Sequence, residues 1–396
     1  MSTHRKYWRP LALALALGGL AVIVQLGSGQ SAAGNAIDKM VRVTVPSGVA
    51  LSIVSTDLSE TQISTVGGAM VIDLRCNLIL RNEGAKSIRG VTFAVLAQRM
   101  TAGGKASVAV PSLNVGKSES FPVRIDLRLL RPLPAPPSPV VEVSLDGVLL
   151  ADLSFAGPDK FDSRRKMTVL ELEARRDREF FLKALRAGGE DALREAIIGS
   201  VARQRQRPTL EARLAGNSGR AMGAAARAAQ QGNVALAFAE IPDSPLELVG
   251  GWGAATGDMA DSPRITVRNR SSRSIRYFEL GWLIDSSSGT RYAAGAVPAP
   301  SGLRGLVPGG EAVTNRERSF RFVPLSPAGA GFSIDGMAGF VSQVQFADGS
   351  IWIPSREDLE QASLLGALPV SAEEQRLTNL YQSKGLKNLV AEISSY

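Results

Sequence analysis

Arg81-Asn82-Glu83-Gly84-Ala85-Lys86-Ser87-Ile88-Arg89 returns 187 residues later as Arg268-Asn269-Arg270-Ser271-Ser272-Arg273-Ser274-Ile275-Arg276, with five of nine positions identical and a cation again at the sixth. Before each copy apolar residues alternate (Leu78, Leu80; Ile265, Val267), and after each they alternate again (Val91, Phe93, Val95; Phe278, Leu280, Trp282). Alternation is the period of a half-buried strand, so the copied unit is strand, polar turn, strand. The chain reads as one β-module used twice. Asn82 and Asn269 fall where a strand enters a turn, and their side-chain amides are expected to satisfy turn backbone groups.

Working outward, the first module is expected over residues 37–157. A strand over Val71 to Arg81 puts Ile72, Leu74, Cys76, Leu78 and Leu80 on one face, which points the lone Cys76 inward as a small buried thiol. Near its end, Asp146-Gly147 separates two apolar runs and reads as a two-residue hairpin turn. The second module is expected over 208–355, with Gly216 to Gly232 as a loop. Phe278, Leu280, Trp282 and Ile284 share a face there, which makes Trp282 a core anchor. Val344, Phe346, Asp348-Gly349, Ile351 and Ile353 echo the first module's last hairpin, and Trp352 alternates opposite to its isoleucine neighbours, hence exposed and a candidate contact.

Two stretches change period. Residues 158–207 read as a helical connector, with Gly188-Gly189 ending one helix and Pro208 stopping the pattern. Ser163 to Lys166 matches the SxxK of penicillin-recognising enzymes, but neither Ser-Asp-Asn nor Lys-Thr-Gly occurs, so the match is chance. Residues 356–396 form a helical tail: Ser355 with Glu357 and Asp358 caps one helix, and Ser371-Ala372-Glu373-Glu374 is a capping box for the next. Leu386, Leu389, Val390 and Ile393 then make an amphipathic stripe, a candidate contact for the chain's own second module or for a partner.

Composition excludes more than it includes. His4, in the leader, and Cys76 are the sole histidine and cysteine, which leaves no Ser-His-Asp or Cys-His system and no His/Cys zinc site in the exported part, and no disulfide within the chain. The +8 charge is diffuse, and the densest basic run, Arg203 to Arg207, has no aromatics, which argues against nucleic acid. Arg75, Arg81, Arg89, Arg268, Arg273 and Arg276 read as solvated outer faces of strands rather than a strip for an anionic polymer. Asp258 and Asp261 fall short of a Ca²⁺ ligand set. Pro134 and Pro137 make a PxxP pattern in a segment that reads as a loop between strands. No cofactor is implied.

Residues 1–34 carry Arg5, Lys6 and Arg9, an apolar run over 11–26 and a small-residue exit. That is an export leader, either a cleaved signal peptide or an anchor that keeps the chain in the membrane through residues 11–26. The rest is expected outside the cytoplasm, in the periplasm, on the outer face of the inner membrane, or secreted.

The short strands, the regular turns and the inward tryptophan one strand after a cysteine-bearing strand resemble immunoglobulin-like or fibronectin-like sandwiches, without the antibody disulfide. Val267-Arg268-Asn269 to Ile275, Asp285 to Gly289, Leu306 to Gly309 and Phe320 are similar in spacing to small extracytoplasmic bacterial β-sandwich modules. The resemblance implies a fold and no chemistry. The expectation is therefore a mostly β protein with α: two antiparallel Ig-like sandwiches, a helical connector, a helical tail and an apolar leader helix. Its expected role is a non-enzymatic envelope binding or scaffold protein whose partner is another envelope protein or polymer. The competing expectation is a carboxylate-based enzyme or a ligand- or Ca²⁺-binding module.

Overall fold

The computed structural model describes residues 39–98, 102–134, 139–214, 232–298, 305–314, 319–325 and 332–396. The leader, most of the Gly216 to Gly232 stretch and residues 135–138 of the proline segment lie outside them. Among the described residues no helix is long and apolar enough to cross a membrane.

The chain is mostly β, with helices between and after two β-units. The first unit comprises β1 (Val41–Thr44), β2 (Leu51–Asp57), β3 (Gln62–Val66), β4 (Ala69–Asn82), β5 (Ile88–Leu96), β6 (Lys105–Val110), β7 (Ser120–Pro132), β8 (Val141–Leu150) and β9 (Phe155–Ala156). One sheet runs β1-β8-β5-β6 with β9 on β8; in the other, β4 pairs β7 along its length and shares its opposite edge between β2 and β3. Among the described residues of this unit only β1 on β8 is parallel. The two sheets share one core, in which Ile72, Leu74, Cys76, Leu78 and Leu80 of β4 meet Phe93 and Val95 of β5 and Val143 of β8. Cys76 is fully buried, as its phase in the strand implies.

The second unit comprises β10 (Leu210–Leu214), β11 (Gly232–Phe238), β12 (Leu246–Thr256), β13 (Met259–Asn269), β14 (Ile275–Ser286), β15 (Arg291–Pro298), β16 (Glu311–Thr314), β17 (Ser319–Pro324), β18 (Ile334–Phe346) and β19 (Ile351–Trp352). Its strands form one connected set, β10-β17-β13-β12-β11-β18-β14-β15, because β11 pairs β12 first and then turns parallel onto β18. Phe278, Leu280, Trp282 and Ile284 line its core.

The repeated nonapeptide makes the same corner in both units. Asn82 Nδ2 donates to the carbonyls of Lys86 (3.0 Å), Val115 (3.1 Å) and Gly116 (3.1 Å), while Oδ1 accepts from Gly84 N (2.9 Å). Asn269 Nδ2 donates to the carbonyls of Arg273 and Leu306, each at 2.8 Å, and its Oδ1 accepts from Ser271 N (2.9 Å). Both asparagines are 1% exposed, and their bonds to the Val115 and Leu306 carbonyls are buried. Beside each corner a cation reaches the turn after the last long strand, Lys86 to Asp152 and Arg273 to Asp348, both at 2.5 Å.

That turn corrects the hairpin reading. β8 runs on through Asp146-Gly147, and the chain reverses at residues 151–154, where Leu153 has a φ of 64° and Ser154 bonds Asp152. Asp146 sits instead at a register shift, 1% exposed, and accepts from Lys160 N (2.8 Å), Phe161 N (3.2 Å) and Ser163 Oγ (2.6 Å). Gly147 is required by packing, since a Cβ there would lie 1.9 Å from the Phe155 ring. A local turn signal yields to a tertiary demand. The counterpart of Asp348 is therefore Asp152, not Asp146.

The fold is completed by α1 (Ser163–Gln206), α2 (Arg356–Gln361), α3 (Ala372–Lys384) and α4 (Leu386–Ile393). α1 begins earlier than its apolar pattern suggests and breaks at Gly188-Gly189, where Gly189 takes a φ of 68°. Ser355 and Asp358 build a complete capping box for α2. Ser371 accepts from Glu374 N at 3.0 Å, but the Glu374 side chain is used elsewhere, so the second box is only half formed.

Replacing either corner asparagine by alanine takes one bond from each carbonyl it serves and removes the side-chain acceptor of the Gly84 or Ser271 amide, and each variant should lose about 1 to 3 kcal/mol in urea melts. An unchanged midpoint for Asn82→Ala or Asn269→Ala contradicts the corner's role. Burial, with Asp57 nearby, pushes the Cys76 thiol up to about 11, so at pH 8 thiol reagents should label it only once urea unfolds the chain. Labelling of the folded protein at the unfolded rate would show an open core.

Candidate functional site

The helices assemble around a stripe that is charged and yet buried. On α1, Met167, Glu171, Ala174, Arg178 and Phe181 recur at three- and four-residue spacing and face inward, with Asp177 beside them. Glu171 accepts from Arg175 (3.0 Å) and Arg178 (2.8 Å). Arg178 also lies 3.3 Å from Glu373 of α3, whose other partner is Arg376 at 2.8 Å. Arg356 of α2 lies between Asp177 (3.4 Å) and Glu374 (3.6 Å) with Phe180 under its guanidinium, and Glu374 also binds Arg203 and Ser200. Glu171, Asp177, Glu373 and Glu374 are each at most 2% exposed.

Charges this deep persist because each meets an opposite charge. Burial alone would raise the carboxyls of Glu373 and Glu374. Arg376 and Arg178 hold the first below the usual glutamate range, and Arg203, Ser200 and Arg356 hold the second there. The array also reaches the β-units: Arg175 donates to the Ala151 carbonyl at 2.5 Å, and Arg176 to that of Pro354 at 3.2 Å.

Two concavities flank the array. A groove of about 730 Å³ runs along α1 past Trp352 and α2. A second cleft, of about 480 Å³, shares Arg176 and Pro354 with it and lies between α1, β14, β15, β10 and residues 354–371. It opens at the seam where β10 and β15, the ends of the strand run, come within 8 Å Cα to Cα without hydrogen-bonding. Glu173 of α1, Glu279 of β14, Trp282 and Gln343 all line it. Burial, aided by Asp177 and Glu279 and opposed by Arg176, raises the Glu173 carboxyl. Glu279 accepts from Gln343 Nε2 (2.5 Å) and Tyr277 OH (3.2 Å).

The residues singled out in the sequence fall mostly elsewhere. Leu389 and Ile393 are fully buried against Phe181, Leu193, Ile197 and Leu377, with Leu386 and Val390 at the margin, so the stripe docks on α1 and α3 rather than on the second β-unit or a free surface. Trp352 is half-buried between two apolar clusters, because the chain leaves β19 at once and strand alternation no longer sets its facing. Trp252, 51% exposed with Arg264 over its ring at 5.0 Å, is the open tryptophan that sequence reasoning passed over. Of the strand arginines, Arg75 pairs with Asp126, Arg81 with Glu83, Arg268 with Glu311 and Arg273 with Asp348. Asp258 pairs with Arg321 at 3.3 Å, and among the described residues no group of three or more His, Cys, Asp or Glu is placed to hold a metal. Ser163 is spent on Asp146.

No protein-family model and no curated protein matches the sequence. Among solved structures, a β-glucosidase from Kluyveromyces marxianus is similar at 8% identity and a TM-score of 0.16, over 69% of this chain and 45% of that one. A red sea bream transglutaminase gives 10% identity and a TM-score of 0.12, over 72% and 31%. The chain thus spans less than half the length of either, and at such scores neither their fold nor their chemistry carries over.

Arg356→Ala leaves Asp177 and Glu374 short of a counter-charge and should cost roughly 3 to 5 kcal/mol. A change under 1 kcal/mol in thermal or urea melts would show that the array is dispensable. Because Glu373 and Glu374 are held below the ordinary value of 4.5, their contribution is complete above that pH and drains away as pH falls through their lowered folded values. Acid titration of Tm should show this loss, and Glu374→Gln should flatten it.

Proposed function

We propose that the chain is an exported, non-enzymatic cell-envelope protein that holds another envelope protein or polymer between or beside two β-units fixed by a helical brace. The observation that supports this most is the buried arginine–carboxylate array. It sets α1, α2 and α3 in one arrangement and bonds both β-units at Ala151 and Pro354. A spacer whose register is fixed by ion pairs suits a scaffold, since a slip of one residue would leave several charges unpaired. The leader over residues 1–34 supports export.

On the same reading the two β-units are copies of one sandwich plan of the immunoglobulin-like kind. The matched hydrogen bonds of Asn82 and Asn269, and the parallel pairing of β1 on β8 and β11 on β18, support it.

A second reading, ligand binding or chemistry by carboxylates, is favoured by one observation: the fold brings Glu173 and Glu279 to the same cleft.

Alkaline phosphatase fused after Tyr396 should become active in growing bacterial cells, and an inactive fusion made in normal amounts would overturn export. A photo-crosslinking residue at Trp252 should trap one envelope component as a discrete band. A smear no different from that at the paired surface position Lys86 would remove Trp252 as a contact.

A further inference from the structure

Strand β7 forms the rim of the sheet built on β4. It pairs with β4 from Ser120 to Pro132 without a register shift, and among the described residues no strand pairs its other side. Which of its backbone groups face outward follows from the corner. The N–H of Asn82 goes to the Glu119 carbonyl, on the β7 side, and that of Glu83 goes to the Ala50 carbonyl, on the β2 side. Even-numbered residues of β4 therefore bond β7, and their odd-numbered partners in β7 bond inward. Pro122, Arg124, Asp126, Arg128 and Leu130 turn their backbone to the rim, where Pro122 has no N–H to leave unpaired. The 3₁₀ turn Ala102–Gly104 lies against Leu130: a Cβ on Gly103 would sit 3.7 Å from the Leu130 Cβ. The open run is therefore Pro122 to Arg128, centred on Ile125.

Sheets blunt such a rim with bulges, prolines or charges. Here the proline ends the run rather than interrupting it, and the charges of Arg124, Asp126 and Arg128 alternate in sign. Alternation repels a second copy in some registers and attracts it in others. In an antiparallel pair only residues that both face the rim can exchange hydrogen bonds. A two-fold axis at Arg124 or at Asp126 sets like charge on like charge. One at Leu127 drives Arg124 onto Leu130, where the turn already lies. An axis at Ile125 sets Arg124 against Asp126 in both directions, with Arg75 beyond Asp126, so that charge alternates from strand to strand. It also brings Leu127, half-buried where Val123, Ile125 and Leu129 are buried, against Val123 of the second copy.

We propose that the rim of β7 pairs antiparallel with the same strand of a second copy about a two-fold axis at Ile125, making one continuous sheet across a homodimer. Both central charges are free to take a new partner. Arg124 is 60% exposed and lies 3.7 Å from Glu60 and 3.8 Å from Asp126 of its own chain, beyond hydrogen-bond reach, and Asp126 is 43% exposed beside Arg75. This goes beyond the scaffold reading and stands apart from it, because self-association of the purified chain depends on neither export nor an envelope partner.

The run is short, so the dimer is expected between micromolar and near-millimolar concentration. Sedimentation velocity of the full chain in density-matched detergent over that range should show a reversible monomer–dimer equilibrium. Arg124→Asp and Asp126→Arg each set like charges together in both contacts and should weaken association about tenfold or more. An equimolar mixture of the two should restore it as a heterodimer, because one variant carries only acids at these two positions and the other only bases. Arg128→Asp should leave association nearly unchanged, since that side chain faces Pro122, whereas an axis at Leu127 would make it weaken. Urea melts verify that each variant folds. A chain monomeric throughout, association indifferent to both reversals, a mixture no more associated than either variant alone, or a loss confined to Asp126→Arg and Arg128→Asp overturns the proposal.

Discussion

The register of α1 against α2 and α3 depends on removing charged side chains from water in matched sets. Taking one carboxylate from water into a protein interior costs several kcal/mol, and the attraction of a partner repays that only when the pair is close and its remaining hydrogen-bonding capacity is met. The array meets the first condition by sharing, while Glu171 Oε2, Asp177 Oδ2, Arg178 Nη1 and Arg356 Nε stay buried without a hydrogen-bond partner. Arg178 serves Glu171 and Glu373, Arg356 serves Asp177 and Glu374, and aromatic faces take the exposed sides of the guanidinium groups, Phe180 under Arg356 and Tyr396 under Arg178 at 4.1 Å. Arginine suits this better than lysine because its planar fork can address two carboxylates and stack at once. An apolar interface of the same size would be as stable. What ion pairs add is a single register between α1 and α3.

The corner residues play the same part inside the β-units. Asn82 and Asn269 each gather three or four backbone groups from both sides of the corner, and so fix where the long central strand ends and the next begins. Once that point is fixed, the phase of β5 and β14 follows. The inward faces Val91-Phe93-Val95 and Phe278-Leu280-Trp282 then fall into their cores without further instruction.

How much of this was legible follows from the range of each signal. The strand faces were readable because burial on one side imposes a period of two, and the corner was readable because it occurs twice. The start of α1 was not, since its buried stripe carries Glu171, Asp177 and Arg178 where an amphipathic pattern would show leucines. Asp146-Gly147 was misread because its local preference for a turn is outweighed by three donors arriving from residues 160, 161 and 163. The tail stripe was seen, but its docking partner was hidden because the receiving surface is divided among Phe181, Leu193, Ile197 and Leu377 on two helices. The cleft left no trace in the sequence. Glu173 and Glu279 belong to different elements, and only the approach of β14 to α1 brings them together.

The cleft and the array are not independent. Arg176 lines the cleft while bonding Asp177 and the Pro354 carbonyl, and Arg203 lines it while bonding Glu374 and, at 3.0 Å, the Leu365 carbonyl. The segment that forms one wall of the cleft is therefore held in place by the same guanidinium groups that neutralise the interior acids. Any occupant that contacts residues 354–371 more favourably when that segment is docked adds its binding energy to the docking of the helices, and the docked helices return the same coupling to the occupant. In a brace whose register is set by charge, a shift of that wall would disturb the whole assembly rather than a single side chain.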